Sequence, residues 1–231
     1  MIKDIVQYGP DQTYFTMNGE FRGEAAMFLP QFNPIVSYCR LKTGPCNVWG
    51  VYDNCNGPSI PANQGFNILY RNSSDLRLVI GGRFQFTTQE GCPKSEVVRN
   101  YEFGVFQLGS KPIVVYAAHL AWPQADDTNT AQSKDLYVHA MANFNGIADR
   151  PTYIGQSGNF QLNVAGMPFV IIGDLNSFQN QGKWDKPDIQ VDVTAQWDWV
   201  ISKNLATKST AKISAAGATD HEYALGAVYH F

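Results

Sequence analysis

The sequence predicts a single α/β domain in which strands outnumber helices. Short runs rich in Val, Ile and Phe recur through the second two thirds of the chain, with the length and β-branched content of strands. One longer segment, 129–145, instead sets Leu136, Ala140, Met141 and Phe144 along one side at helical spacing. The strongest apolar runs each stop at a polar cluster: Ala118-His119-Leu120, Gly173-Asp174-Leu175-Asn176 and Thr219-Asp220-His221.

Each element follows in order. Segment 65–71 is an apolar run after a Pro- and Gly-rich stretch, and 76–80 follows the turn formers Asn72-Ser-Ser-Asp75, so both read as strands. Segments 104–108 and 112–119 flank Gly109-Ser-Lys111, a hairpin pattern, and the second has the Val and Ile content of a central strand. The helix over 129–145, with Thr128 or Thr130 to cap it, would cross over the sheet to the buried strand 168–173. Segments 196–202 and 223–231 complete the set. No repeat, charge block or low-complexity linker divides the chain, so residues 1–231 are expected to form one domain.

With 231 residues and 44% hydrophobic content, the chain can bury a large core. Charged residues are only 16%, so solubility rests on neutral polar groups, a composition common in secreted proteins. A net charge of -3 argues against a protein that coats nucleic acid by charge alone. It leaves room for an enzyme that touches a few phosphates through a local basic rim and a bound cation.

Cys39, Cys46, Cys55 and Cys92 permit three pairings. A Cys46–Cys55 bridge closing the turn-rich segment between them is the first expectation, and four unpaired thiols are the alternative. Zinc is disfavoured, because no pair has CxxC spacing and no His lies nearby. The longest apolar runs fall far below the roughly 20 residues of a membrane span, so no stable membrane insertion is expected. The first seven residues lack the basic and apolar regions of a signal peptide.

Phosphate ester hydrolysis needs a Lewis acid, a base for the attacking water and donors for developing charge. The three polar clusters contain those residue types, with carboxylates and amide oxygens for a hard cation and histidines for proton transfer. Val114-Val-Tyr-Ala-Ala-His-Leu120 resembles the His-Leu strand of the endonuclease/exonuclease/phosphatase superfamily, to which deoxyribonuclease I belongs, and Phe169-Val-Ile-Ile-Gly-Asp-Leu-Asn176 resembles its Gly-Asp-x-Asn strand. Thr219-Asp-His221 is similar to its Ser-Asp-His signature, and Gln196-Trp-Asp-Trp-Val-Ile-Ser202 to the Asp-Tyr-Ile strand before it. Each motif alone is an ordinary turn or strand end. Four in the family's order are specific, and an acid between Trp197 and Trp199 is costly unless paired.

The resemblance implies a two-sheet α/β sandwich of deoxyribonuclease I type with helices packed outside. It also implies a divalent-metal-dependent phosphodiesterase using Mg2+, or Mn2+ or Ca2+. His221 would be the general base, with Asp198 holding its tautomer. Asp174 would place the nucleophile or the cation, Asn176 would donate to a phosphate oxygen, and Asp220 would face the cation. His119 would bond the phosphate or act as acid toward the leaving oxygen.

The N-terminus departs from the family pattern of a strand ending in Asn followed by one ending in Gln-Glu. Tyr14-Phe-Thr-Met-Asn-Gly-Glu20 fits the second strand with Glu20 as metal ligand, Glu24 being a close substitute. The opening strand is then missing, as in an atypical or truncated N-terminus. The other register takes Asn18 as the opening Asn and leaves Arg40 in place of the metal-binding Glu. Gln64 falls near the position of the family's Glu that pairs with the His-Leu histidine, so His119 is expected to lack that carboxylate partner.

Among substrates, DNA and a secreted nuclease come first, with Arg71, Arg99 and Lys94 available for phosphate contacts. A sphingomyelin or phosphoinositide phosphodiesterase would need an exposed aromatic loop, for which Trp122 and, more weakly, Trp184 are the candidates. A catalytically silent binding scaffold or toxin subunit is the third class, supported by the irregular N-terminus.

Overall fold

The computed structural model describes residues 5–8, 32–34, 67–71, 76–88, 90–92, 95–97, 100–121, 126–146, 164–178, 181–214 and 223–230. Its centre is a six-stranded sheet built from β4 (Leu76–Gln85), β7 (Asn100–Leu108), β8 (Lys111–His119), β9 (Phe169–Asp174), β10 (Gln190–Ala195) and β11 (Asp198–Lys203). The spatial order is β10-β11-β9-β8-β7-β4. β8 and β9 pair in parallel and every other neighbour pair is antiparallel. A parallel pair needs a crossover, and the helix α1 (Asp126–Phe144) lies in the connection between those two strands.

Helix α1 covers one face of the sheet. Leu136 and Ala140 are fully buried there against Tyr101, Tyr116, Phe169, Ile171 and Trp199, with Tyr137, Met141 and Phe144 packed at the margin. These include the residues whose spacing predicts the helix. Its start differs: the first turn begins at Asp126, so Thr128 lies inside the helix and Thr130 further along. Asp127 suits that end because a carboxylate opposes the positive pole of the helix dipole.

On the opposite face, Val115, Ala117, Val170, Val193 and Val200 meet Tyr229, Leu225 and Ala227. The last two and Tyr229 belong to β13 (Tyr223–His230), which pairs antiparallel with β12 (Ala206–Ser214). The architecture is thus a large sheet with a smaller sheet on one face and a helix on the other, the two-sheet α/β sandwich. Among the described residues α1 is the single α-helix, fewer than the expected plural.

The small sheet is oriented by its polar anchor. Asp192 near the start of β10 accepts a hydrogen bond from Tyr229 Oη at 2.6 Å and one from Thr207 Oγ1. The outer ends of β12 and β13 are therefore fixed over the beginning of β10. Their other ends are joined by the Ser214–Tyr223 pair.

The remaining strands are β1 (Ile5–Tyr8), β2 (Phe32–Pro34) and β3 (Asn67–Arg71), in the order β1-β3-β2, and a short pair β5 (Glu90–Cys92) and β6 (Ser95–Val97). No described helix is long and apolar enough to cross a membrane.

Candidate active site

The Gly-Asp-Leu-Asn cluster has a local structural logic. Gly173 closes β9 at φ +141, and a Cβ there would lie 2.0 Å from the Ala118 carbonyl oxygen, so only glycine fits beside β8. Asp174 Oδ1 accepts the Asn176 N–H at 2.9 Å, an Asx-turn. Asn176 takes φ +46, the left-handed region that asparagine tolerates best among non-glycine residues. The chain is thereby turned sharply out of the sheet just after Asp174.

Register then assembles the row. His119 is the partner of Asp174 across the parallel β8–β9 pair, and Asp174 is the partner of Asp198 across β9–β11. Paired residues share a face, so three consecutive strands carry His119, Asp174 and Asp198 abreast on the face of the small sheet. The row directly below is Ala117, Ile172 and Val200, within or against that apolar cluster. All three polar side chains sit at the sheet edge where β8 and β9 end and β11 begins.

His119 Nε2 is 3.3 Å from Asp174 Oδ2, with side-chain exposures of 19% and 13%, so the pair is sheltered yet reachable from solvent. This corrects the expectation that His119 lacks a carboxylate partner; the neighbour is the motif aspartate one strand away, and Gln64 lies outside the described residues. A carboxylate here orients the imidazole ring.

Asn176 is buried, and its Nδ2 donates to the Leu120 carbonyl at 2.8 Å. Its Oδ1 is buried with no hydrogen-bond partner among the described residues. Leu120 N–H donates to Asp174 O, and Leu175 N–H to Trp197 O, both at 3.0 Å. The ends of β8, β9 and β11 are thus knitted together by backbone and amide groups behind the acidic row.

Two carboxylates and a buried amide oxygen are the donor types a hard divalent cation takes, and in type they fit the ion the fold implies. They form only part of a set: among the described residues no three His, Cys, Asp or Glu side chains are grouped to hold a metal. Glu20, Asp220 and His221 lie outside the described residues, as do Glu24, Arg40, Trp122, Lys94 and Arg99. Strand β13 begins two residues after His221. Arg71 ends β3, and its side chain is not described. Cys39, Cys46 and Cys55 also lie outside, and Cys92 ends β5.

Two sequence expectations change. Trp184, a candidate for an exposed aromatic loop, is 1% exposed and belongs to the core under α1. Its apolar bulk outweighed its position in a polar loop. Gln196 does not extend the strand toward Asp198: with φ +51 it forms, with Trp197, the two-residue turn joining β10 to β11.

Sequence reasoning also missed the polar residues of α1 that meet the site from behind. Asn129 and Gln132 are fully buried on the face continued by Leu136 and Ala140. Gln132 accepts the Ala121 N–H at 2.8 Å and donates to Thr88 O at 2.9 Å. The available signal was two amides in line with Leu136 and Ala140 at helical spacing.

No protein-family model matches the sequence, and no curated protein matches it in sequence. Solved structures do match in shape. The chain is similar to D. rerio TDP2 complexed with a single-strand DNA product (10% identity, 99% of this chain and 86% of that one, TM-score 0.58). It is similar to the human Nocturnin catalytic domain with a bound sulfate anion (12%, 97% and 81%, TM-score 0.57). It is similar, too, to the endonuclease/exonuclease/phosphatase protein from Bacteroides vulgatus (14%, 98% and 84%, TM-score 0.55). The fold is that of the endonuclease/exonuclease/phosphatase proteins.

Proposed function

We propose that this chain, folded as the endonuclease/exonuclease/phosphatase proteins are, is a divalent-metal-dependent phosphoesterase whose substrate is a nucleic acid phosphodiester, DNA first. The observation that carries the reading is the His119–Asp174–Asp198 row at one sheet edge, followed by a turn that requires glycine at 173 and an Asx acceptor at 174. The D. rerio relative in shape binds a DNA product, which supports the substrate class.

In this reading His119, held by Asp174, donates to a non-bridging oxygen or to the leaving oxygen. Asp198 would hold the ring of His221 so that this base takes a proton from the attacking water. Asn176 keeps one amide N–H beyond the one spent on Leu120, which it offers to a phosphate oxygen. Glu20 and Asp220 would hold the cation, with Asp174 beside them. A bound Mg2+ or Mn2+ supplies Lewis acidity toward the phosphoryl oxygens. The even number of cysteines supports an extracellular location.

A lipid headgroup is the second substrate reading. Phe178, two residues beyond Asn176, is 42% exposed and gives an aromatic face near the site. Such a face stacks on a base as readily as it touches acyl chains.

The test is hydrolysis of plasmid DNA, bis-p-nitrophenyl phosphate and sphingomyelin, each with Mg2+, Mn2+, Ca2+ or EDTA, for wild type, His221→Ala and Asp198→Asn. Turnover that EDTA abolishes, nearly lost in His221→Ala and lowered in Asp198→Asn, is the expected result. A folded wild type that turns over none of them under any ion refutes the reading and leaves the silent-scaffold class.

A further inference from the structure

Asn129 stands in the first turn of α1 and is completely buried. Its Nδ2 is 2.6 Å from the Ala121 carbonyl, 3.1 Å from that of Leu175 and 3.3 Å from that of Asn176. Its Oδ1 accepts from Lys183 Nζ at 2.8 Å and lies 3.2 Å from Ser177 Oγ, whose one proton it shares with the Leu175 carbonyl at 2.9 Å. A primary amide has two N–H donors and one oxygen with two lone pairs, so three carbonyls share the donors and the oxygen is filled. Every group of this side chain is therefore spent on segment 121 and segment 175–183.

Those segments are the ones that leave β8 and β9 immediately after His119 and Asp174. The loops also bond to each other, through Leu120 N–H to Asp174 O and Asn176 Nδ2 to Leu120 O. Those bonds fix the loops relative to one another only. Asn129 adds a third body, the helix, whose own place is set by Leu136 and Ala140 in the core. A buried asparagine is a poor helix former and costs free energy unless fully bonded, so its contribution here is to the strand ends and not to the helix.

We propose that Asn129 is a positioning residue: it sets the separation and orientation of His119 and Asp174 by tying the segments that follow them to α1. Its kinetic consequence rests on the phosphoesterase reading above, whereas its geometric consequence does not. The isosteric Asn129→Asp keeps an acceptor for Ser177 and Lys183 but cannot donate to the three carbonyls. Tyr137→Phe serves as the control, since Tyr137 lies on the same helix and donates to Asp188, away from the strand ends.

Two measurements on the full chain decide it. With bis-p-nitrophenyl phosphate and Mn2+, Asn129→Asp should lower kcat by roughly 10²-fold with KM little changed, as misplaced catalytic groups do. Tyr137→Phe should lower Tm and leave kcat as in wild type. By amide hydrogen exchange, Asn129→Asp should speed the Leu120 and Leu175 N–H groups by roughly tenfold or more while the β4 amides keep their wild-type rates, the mark of a local opening. Asn129→Ser, with one hydroxyl donor left, should fall between and substitutes if the aspartate variant does not fold. Wild-type exchange at Leu120 and Leu175 overturns the proposal whatever the activity. If wild type hydrolyses nothing, the phosphoesterase reading fails and the exchange result alone still decides the clamp.

Discussion

The carbonyl oxygen of Ala118 occupies the space where a side chain on Gly173 would begin. A Cβ there would lie 2.0 Å from that oxygen, and the φ of +141 is itself closed to other residues. Both obstacles are backbone, so no rotamer change relieves them. Gly173→Ala is expected to cost more than about 3 kcal/mol, through strain and loss of β8–β9 pairing. Urea denaturation checks this; a variant within about 1 kcal/mol of wild type would mean that the two strands can part here without consequence.

His119 and Asp174 should act as a unit. His119→Gln is expected to lower kcat by about 10²- to 10⁴-fold, the usual contribution of a proton-transferring group. Asp174→Asn keeps an oxygen for the Asn176 N–H, so the turn survives while the charge beside His119 is lost. If the pair works together, the double variant is little worse than the worse single one. Steady-state rates with bis-p-nitrophenyl phosphate give the comparison, and fully multiplicative losses would show that the two groups act separately.

The strands that carry the row were legible because each is a buried apolar run closed by a polar cluster. The segments 112–119 and 168–173 differ from β8 and β9 by one residue at the ends. Strands β10 and β12 were not legible, for a physical reason. β12 is exposed along most of its length and mostly polar, and β10 carries Asp192, whose partners Gln190, Thr207 and Tyr229 come from three different strands. Local periodicity cannot report a polar group satisfied from a distance. The same holds at the site: motif order pointed to His119, Asp174 and Asp198, but their alignment depends on register across three strands, and Asn129 shows no motif at all.

Trp184 separates a core role from a surface one. It is 1% exposed among the residues packed beneath α1, so Trp184→Ala opens a large cavity and is expected to cost about 3–5 kcal/mol. Binding to sphingomyelin vesicles, measured by flotation at a temperature where the variant is folded, should not change. Weaker vesicle binding at unchanged stability would return Trp184 to the surface and favour the lipid reading.

Tyr229 joins the small sheet to the large one, and its ionisation gives that joint a pH dependence. The phenol is 3% exposed and donates to Asp192 Oδ2 at 2.6 Å. Burial, then the bond to Asp192 and its charge, push its pKa well above the ordinary tyrosine range; Tyr137 is pushed up to about 12 by burial and Asp188. A raised folded-state pKa means that above about pH 10 the unfolded chain releases a proton the native state keeps. The stabilisation from Tyr229 is full below that pH and declines as pH rises toward the folded pKa, by up to about 1.4 kcal/mol per pH unit. Tyr229→Phe removes it and, near neutrality, costs about 1–2 kcal/mol for the lost hydrogen bond, while Asp192 keeps Gln190 and Thr207. The stability gap between wild type and variant should therefore narrow from pH 8 to pH 11 in urea titrations, since Tyr137 is common to both. A gap that stays constant or widens would show that the phenol ionises as readily in the native state as in the unfolded one, and that the two sheets are held together without it.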